Sequence, residues 1–228
     1  MAVSRDQIIA AAIHHLNQDP AASMAQLAEA TGVSRATLHR HFASREELLL
    51  ALGHRALDRW ARTQGMAGVE EAAASRDPSR IAAALREMLI GLIDEAEEYN
   101  FALTDVVMIK VPELRERSDA LEAKEIALYR AAQHAGVLRA DLPVRWISNM
   151  VCGLLLAVRE SLRRGDVARR DLPQVLHETF FHGAAAGDAA DGAIRDSAQG
   201  TAYGTAGGMR DGSAAHGTAG GTRDGGAA

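Results

Sequence analysis

The sequence predicts an all-α protein, and three observations carry that prediction. Apolar residues recur at helical spacing along most of the chain, whereas β-branched residues do not alternate. No Asn-Gly or Asp-Gly pair separates two apolar runs, so hairpin signals are missing. Four serines, Ser4, Ser23, Ser34 and Ser44, stand at plausible helix starts. Three of them are followed three residues on by Gln7, Gln26 and Glu47, the spacing at which a side chain and a backbone amide satisfy each other reciprocally.

The elements follow in order. The first helix is expected from Arg5 to Asn17, with Ile9, Ala12, Ile13 and Leu16 on one face, and Gln18-Asp19-Pro20 ends it. A short second helix spans Met24 to Ala30 and buries Leu27 and Ala28. Thr31-Gly32-Val33 makes a tight turn, in which Gly32 supplies a positive φ. The third helix starts at Ser34 and ends near Phe42. The fourth starts at Arg45 and carries Leu48, Leu49, Leu52, Ala56 and Trp60. From Thr63 to Asp77 the residues are small and polar, and read as a linker or a frayed helix end.

Pro78 restarts helix at the position where its missing N–H costs nothing, and Ile81, Leu85, Met88, Leu89, Leu92 and Ile93 follow in register. Another helix covers Phe101 to Ile109. Pro112 opens a longer one through Leu114, Leu121, Ile126, Leu128 and Tyr129, stopped by Gly136. Pro143 begins a strongly apolar helix, and Leu172, Val175, Leu176, Phe180 and Phe181 mark the last of about nine. Residues 187–228 change character: Thr205-Ala206-Gly207-Gly208 with Arg210-Asp211-Gly212 recurs as Thr218-Ala219-Gly220-Gly221 with Arg223-Asp224-Gly225. A short repeat without large apolar groups buries no core, so this tail is expected to be disordered.

Composition excludes several classes of protein. A hydrophobic fraction of 47% with 24% charged residues is that of a globular chain. No apolar h-region precedes Arg5, and the longest apolar run, Met150 to Val158, is too short for a bilayer, so a cytoplasmic protein without membrane contact is expected. Cys152 is the only cysteine, which rules out an intrachain disulfide and a cysteine-based zinc site. It lies on an apolar face and reads as a core residue. No phosphate-binding Gly loop, nucleophile elbow or HExxH occurs, so neither an enzyme, a cofactor nor a metal is expected.

The net charge of −5 argues against indiscriminate coating of nucleic acid. Local distribution points elsewhere. Between Ala30 and Arg45 lie three arginines and two histidines with no acid, inside residues 1–60, whose six arginines and six acids cancel. Leu27, Ala28, Val33, Leu38 and Phe42 lock two short helices across the Gly32 turn, which leaves Ser34, Arg35, Thr37, His39, Arg40 and His41 for the outer face. This is a helix-turn-helix, a motif whose second helix enters the major groove of duplex DNA. Arg35, in the first turn of that helix, is placed for a bidentate contact to guanine.

The stretch from Ser23-Met24-Ala25-Gln26-Leu27 through Thr31-Gly32-Val33-Ser34-Arg35 and Leu38-His39-Arg40-His41-Phe42 to Glu47-Leu48-Leu49 resembles the N-terminal signature of the tetracycline-repressor (TetR-type) family. The match is dense over residues 5 to 55. Gly136 to Leu142 resembles the loop before that family's penultimate helix. The resemblance implies a homodimer with an N-terminal DNA-binding domain and a C-terminal helical domain for a small-molecule effector. The expected division is 1–47 for the helix-turn-helix domain, 48–186 for ligand binding and dimerisation, and 187–228 for the tail.

By the same resemblance Arg35, Ala36 and Arg40 align with positions that approach bases, and Thr37, His39 and His41 with the backbone or groove edge. Arg45 aligns with a phosphate contact. His39 stands where the family usually has Tyr, and Met24 where Thr is frequent. The resemblance places an effector pocket between the middle helices, where Met88, Leu92, Tyr99, Phe101, Asp105, Met108, Tyr129 and His134 are candidates as well as core residues. Ile147, Val151, Leu154, Val158, Phe180 and Phe181 read either as internal core or as a dimer surface. The function expected is a repressor released from a palindromic operator by its effector. A helical ligand-binding protein with weak DNA affinity and an activator of the same fold stay open.

Overall fold

The computed structural model describes residues 3–98 and 111–182. Nine α-helices and no strand occur among them. They are α1 (Arg5–Gln18), α2 (Met24–Ala30), α3 (Arg35–His41), α4 (Arg45–Ala67), α5 (Val69–Ala74), α6 (Pro78–Glu98), α7 (Pro112–His134), α8 (Val144–Arg164) and α9 (Leu172–His182). A 3-10 turn, Arg169–Asp171, leads into α9. The helix expected over Phe101 to Ile109 and the repeat-bearing segment 187–228 lie outside the described residues.

The serine caps form as the spacing requires. At α1 and α2 the boxes are reciprocal: Ser4 Oγ accepts the Gln7 amide and Gln7 Oε1 accepts the Ser4 amide, with the same pair at Ser23 and Gln26. At α4 the box is shifted. Ser44 Oγ accepts the Glu47 amide at 3.1 Å, but the Glu47 carboxylate takes the amide of Ala43 at 2.7 Å. Ser44 has φ −143° where Ser4 and Ser23 have −74° and −75°, a rotation about N–Cα that turns its own N–H away from the helix.

Two main cores result. Ile8, Ile9, Ala12, Ile13 and Leu16 of α1 pack with Leu27, Ala28, Leu38, Phe42, Leu48, Leu49 and Leu52. Each large side chain fully removed from water here contributes about 1.5–3 kcal/mol. This cluster orients α3, which by itself buries only Leu38. The second core joins α5, α6, α7, α8 and α9 through Ile81, Leu85, Met88, Leu92, Leu128, Tyr129, Ile147, Val151, Leu176 and Phe180, among others. Helix α4 belongs to both halves: Leu52 sits in the first core, Trp60 packs on the second, and Leu57 joins Leu114 and Leu121.

The structure corrects the reading of Thr63 to Asp77. Helix α4 continues to Ala67, and after Gly68 a further helix, α5, buries Val69 and Ala72. Small residues with high helix propensity let α5 lie close against α7, so low hydrophobicity here marks tight packing and not a linker. Cys152 also differs from expectation. It is exposed, because the buried stripe of α8 runs through Ile147, Val151, Leu155 and Val158. Leu154 and Leu162 are half-buried. No helix of the described residues is long and apolar enough to cross a membrane.

Candidate functional site

Helices α2 and α3 are joined by a turn that leaves its backbone groups paired. Thr31 donates both its amide and its hydroxyl to the Leu27 carbonyl, and the Val33 amide reaches back to the Ala28 carbonyl at 3.0 Å. Gly32 has φ +68°, a conformation that side chains resist. Ser34 then caps α3: its Oγ accepts the Thr37 amide at 3.1 Å and pairs with the Thr37 hydroxyl at 2.9 Å.

With Leu38 and Phe42 fully buried beneath it, α3 presents Arg35, Ala36, His39 and Arg40 to solvent on one side. These four sit at spacings of one and four, so they share a face. Thr37 and His41 are half-buried at its margins. His39 Nδ1 lies 3.3 Å from the Ala43 carbonyl. A carbonyl only accepts, so this contact puts the proton on Nδ1, and Nε2 becomes a donor only in the protonated ring. The Arg5 guanidinium covers the Phe42 ring at 4.7 Å and supports the end of α3 from below.

Arg45 is placed differently from the other arginines. Its Nε donates to the Ala22 carbonyl at 3.1 Å and its Nη2 to the Pro20 carbonyl at 2.6 Å. The side chain ties the start of α4 to the α1–α2 loop, and that structural role was not visible in the sequence.

Among the effector candidates, Met88, Leu92 and Tyr129 are buried side chains of the second core. His134 is exposed at the C-terminal end of α7 and lines nothing in the interior. Tyr99, Phe101, Asp105 and Met108 lie outside the described residues. Of the residues proposed for subunit contact, Ile147, Val151, Val158 and Phe180 are taken up by the chain's own core, whereas Leu154 and Phe181 stay half-buried.

Sequence reasoning missed a polar cluster inside the second half of the molecule. Glu125 of α7 is 5% exposed, and its carboxylate accepts three neutral donors: Trp60 Nε1 at 2.5 Å, Gln64 Nε2 at 3.0 Å and the Tyr129 hydroxyl at 3.2 Å. Burial raises its pKa above the ordinary carboxylate value, against the effect of those hydrogen bonds. Glu95 of α6 lies nearby, accepts the Thr63 hydroxyl, and is pushed up to about 7 by burial. A signal did exist. Glu125 interrupts the apolar stripe of α7 between Leu121 and Tyr129, where a solvated carboxylate has no place.

Residues 8–52 match the sequence profile described as bacterial regulatory proteins, tetR family. Over this segment the chain is similar to the TetR family. The chain is 28% identical over 162 residues to the HTH-type transcriptional repressor LfrR of Mycolicibacterium smegmatis, covering 71% of its own length and 80% of the relative's. It is 27% identical over 168 residues to the HTH-type transcriptional regulator NfxB of Pseudomonas aeruginosa, with 72% and 86% covered. The crystal structure of LfrR from Mycobacterium smegmatis in complex with proflavine superposes with a TM-score of 0.64 at 23% identity, covering 79% of this chain and 95% of that one. PfmR from Thermus thermophilus, also a TetR-family regulator, superposes at 0.58 with 25% identity, covering 82% and 100%.

Proposed function

We propose that this transcriptional regulator is a homodimeric repressor that binds a palindromic operator in the cytoplasm and leaves it when a small molecule occupies the C-terminal helices. Residues 1–47 carry recognition, 48–186 carry effector binding and dimerisation, and 187–228 form an appended tail. The observation that carries the reading is the exposed face of α3, where Arg35, Ala36, His39 and Arg40 stand over buried Leu38 and Phe42. Arg35 and Arg40 read base edges, Ser34 and Thr37 set the start of the helix, and His39 and His41 meet the groove wall.

A seven-residue helix on a charge-balanced domain makes few contacts, which favours presenting it twice. A surface for that exists on α8. Trp146 is 59% exposed and Leu156 37%, with Cys152, Gly153 and Ala157 exposed beside them, and Val175 of α9 is 45% exposed. Large apolar groups left in water at helical spacing suit a four-helix subunit contact. Effector binding is supported by similarity to LfrR, whose structure holds proflavine.

Selection of genomic fragments by the purified full-length chain, followed by footprinting, tests the reading. The expected footprint is a palindrome with half-sites roughly 34–36 Å apart. Arg35→Ala is expected to cost about 1–3 kcal/mol and relax preference at one base position. A variant that ranks all sequences as the wild type does overturns the role given to Arg35, and the absence of any retarded fragment at low salt overturns DNA binding.

A further inference from the structure

We propose that the Glu125 carboxylate, with Gln64 and Trp60 beside it, is the recognition point for an organic cation, a flat or lipophilic molecule carrying a positively charged nitrogen. This rests on reading the C-terminal helices as the effector unit and names the chemistry that unit selects. Three independent features of the cluster converge on it.

The first is charge. Glu125 is buried among neutral donors only, and no Lys or Arg of the described residues forms an ion pair with it. Its electrostatic neighbours are other acids. Glu122 acts on Glu125, and Glu125 acts on Glu95. None of the nearby cations acts as its partner: Arg145 lies 3.5 Å from Glu122, Arg59 pairs with Glu98 at 3.1 Å, and Arg59 and Arg62 act on Glu95. Three donors make a buried carboxylate tolerable but do not neutralise it. A purely structural role would be served as well by an uncharged residue of the same shape.

The second is an acceptor without a donor. Gln64 is 3% exposed and uses both of its N–H groups, one on the Leu121 carbonyl and one on Glu125. Its Oε1 is buried and meets no hydrogen-bond donor. Such a group costs free energy until a donor arrives. It lies on the side chain already bound to Glu125, so an incoming N–H reaches both acceptors together.

The third is the wall. Trp60 and Tyr129 bring two aromatic side chains to the carboxylate, each through its polar edge. Of the four residues in the cluster only Trp60 is half-buried, the others being enclosed. Entry therefore runs past the Trp60 indole, whose N–H exchanges Glu125 for the ligand. Buried acceptors, aromatic rings and no internal counter-ion are the complement of an organic cation, and a poor match for an anion or a fatty acid carboxylate.

The test titrates the full-length chain, without DNA, with proflavine and with acridine, following fluorescence anisotropy at pH 8. The two share one ring system, but only proflavine is cationic at that pH, where Glu95 is ionised. The wild type is expected to bind proflavine at least tenfold more tightly than acridine. Glu125→Gln, which keeps the shape, still accepts from Trp60 and Gln64 through Oε1 and turns its amide N–H to the Tyr129 hydroxyl, is expected to lose at least tenfold for proflavine and less than twofold for acridine. Glu95→Gln, an independent substitution should Glu125→Gln fail to fold, is expected to lose at least threefold for proflavine alone. Equal affinity for the two dyes, no proflavine binding, or undiminished binding by both variants overturns the inference. Operator retention is measured separately: a chain that holds its operator but ignores proflavine keeps the repressor reading and loses this one. A chain that binds proflavine without releasing DNA keeps this inference and loses the effector reading.

Discussion

The side-chain amide of Asn17, near the end of α1, donates to the backbone carbonyl of Glu98, the last residue of α6, at 2.9 Å, and reaches the Glu97 carbonyl at 3.4 Å. Asn17 thereby ties α1 to backbone carbonyls of α6. It also links the DNA-reading half to the helix that carries Glu95.

Asn17→Ala is therefore expected to lower stability by about 1 kcal/mol, the net worth of a hydrogen bond. Asn17→Asp is expected to cost more, because it sets a carboxylate against two carbonyl oxygens. Urea unfolding of the three proteins checks the order. An Asp variant as stable as the wild type shows that the contact is not made.

Arg45 yields a prediction that separates two roles. Its resemblance-derived role is to meet a DNA phosphate, whereas its guanidinium already donates to the carbonyls of Pro20 and Ala22. Two of five donors are engaged, so the fork holds the loop with N–H groups still to offer. Arg45→Lys is expected to lower stability by about 1–3 kcal/mol, since one ammonium cannot reproduce the planar fork. The salt dependence of operator affinity is expected to be kept by Lys and to lose about one counterion in Arg45→Ala. Unfolding midpoints unchanged in both variants contradict the loop tether.

The helix-turn-helix was legible in the sequence because local chemistry decides it. Ser23, Gly32 and Ser34 each fix a neighbouring amide, and Leu27, Leu38 and Phe42 have few ways to be buried. Helix α5 was not, since Val69 and Ala72 become core only through α7, far away in the chain. The division of α8 between internal core and open face was equally hidden. Ile147 and Trp146 are both apolar, and only the positions of α6 and α7 settle which one is covered. Glu125 was overlooked because its partners Trp60 and Gln64 are about sixty residues distant in sequence.

Gly91 of α6 lies against Thr63 of α4. A Cβ placed there lies 2.5 Å from the Thr63 methyl carbon. Rotating Thr63 away breaks its hydroxyl's contact with Glu95, so the clash has no inexpensive relief. Gly91→Ala is expected to destabilise by about 1–3 kcal/mol, outweighing a helix-propensity gain of about 0.5–1 kcal/mol. Thr63→Ser removes the methyl and keeps the hydroxyl. In that background Gly91→Ala is expected to be neutral or stabilising. A double-mutant cycle by thermal unfolding measures the coupling, and simple additivity contradicts the close approach.

The raised pKa of Glu95 makes stability fall with pH in a definite window. Below about pH 4.5 the carboxyl is protonated whether the chain is folded or not. As pH rises, the unfolded chain releases the proton near 4.5, whereas the folded chain keeps it to about 7. Across that interval the folded state binds more protons, so unfolding becomes easier as pH increases, and the loss levels off above it. Burial is the leading cause. The Thr63 hydroxyl, Arg59 and Arg62 oppose it, and Glu125 adds to it. Glu95→Gln removes the titration while keeping an acceptor for Thr63. It is expected to leave stability at pH 5 nearly unchanged and to raise it at pH 8 by on the order of 1–3 kcal/mol. Urea unfolding at the two pH values reads the difference directly. A variant that gains as much at pH 5 as at pH 8 shows an effect of packing or propensity, with no proton held at Glu95.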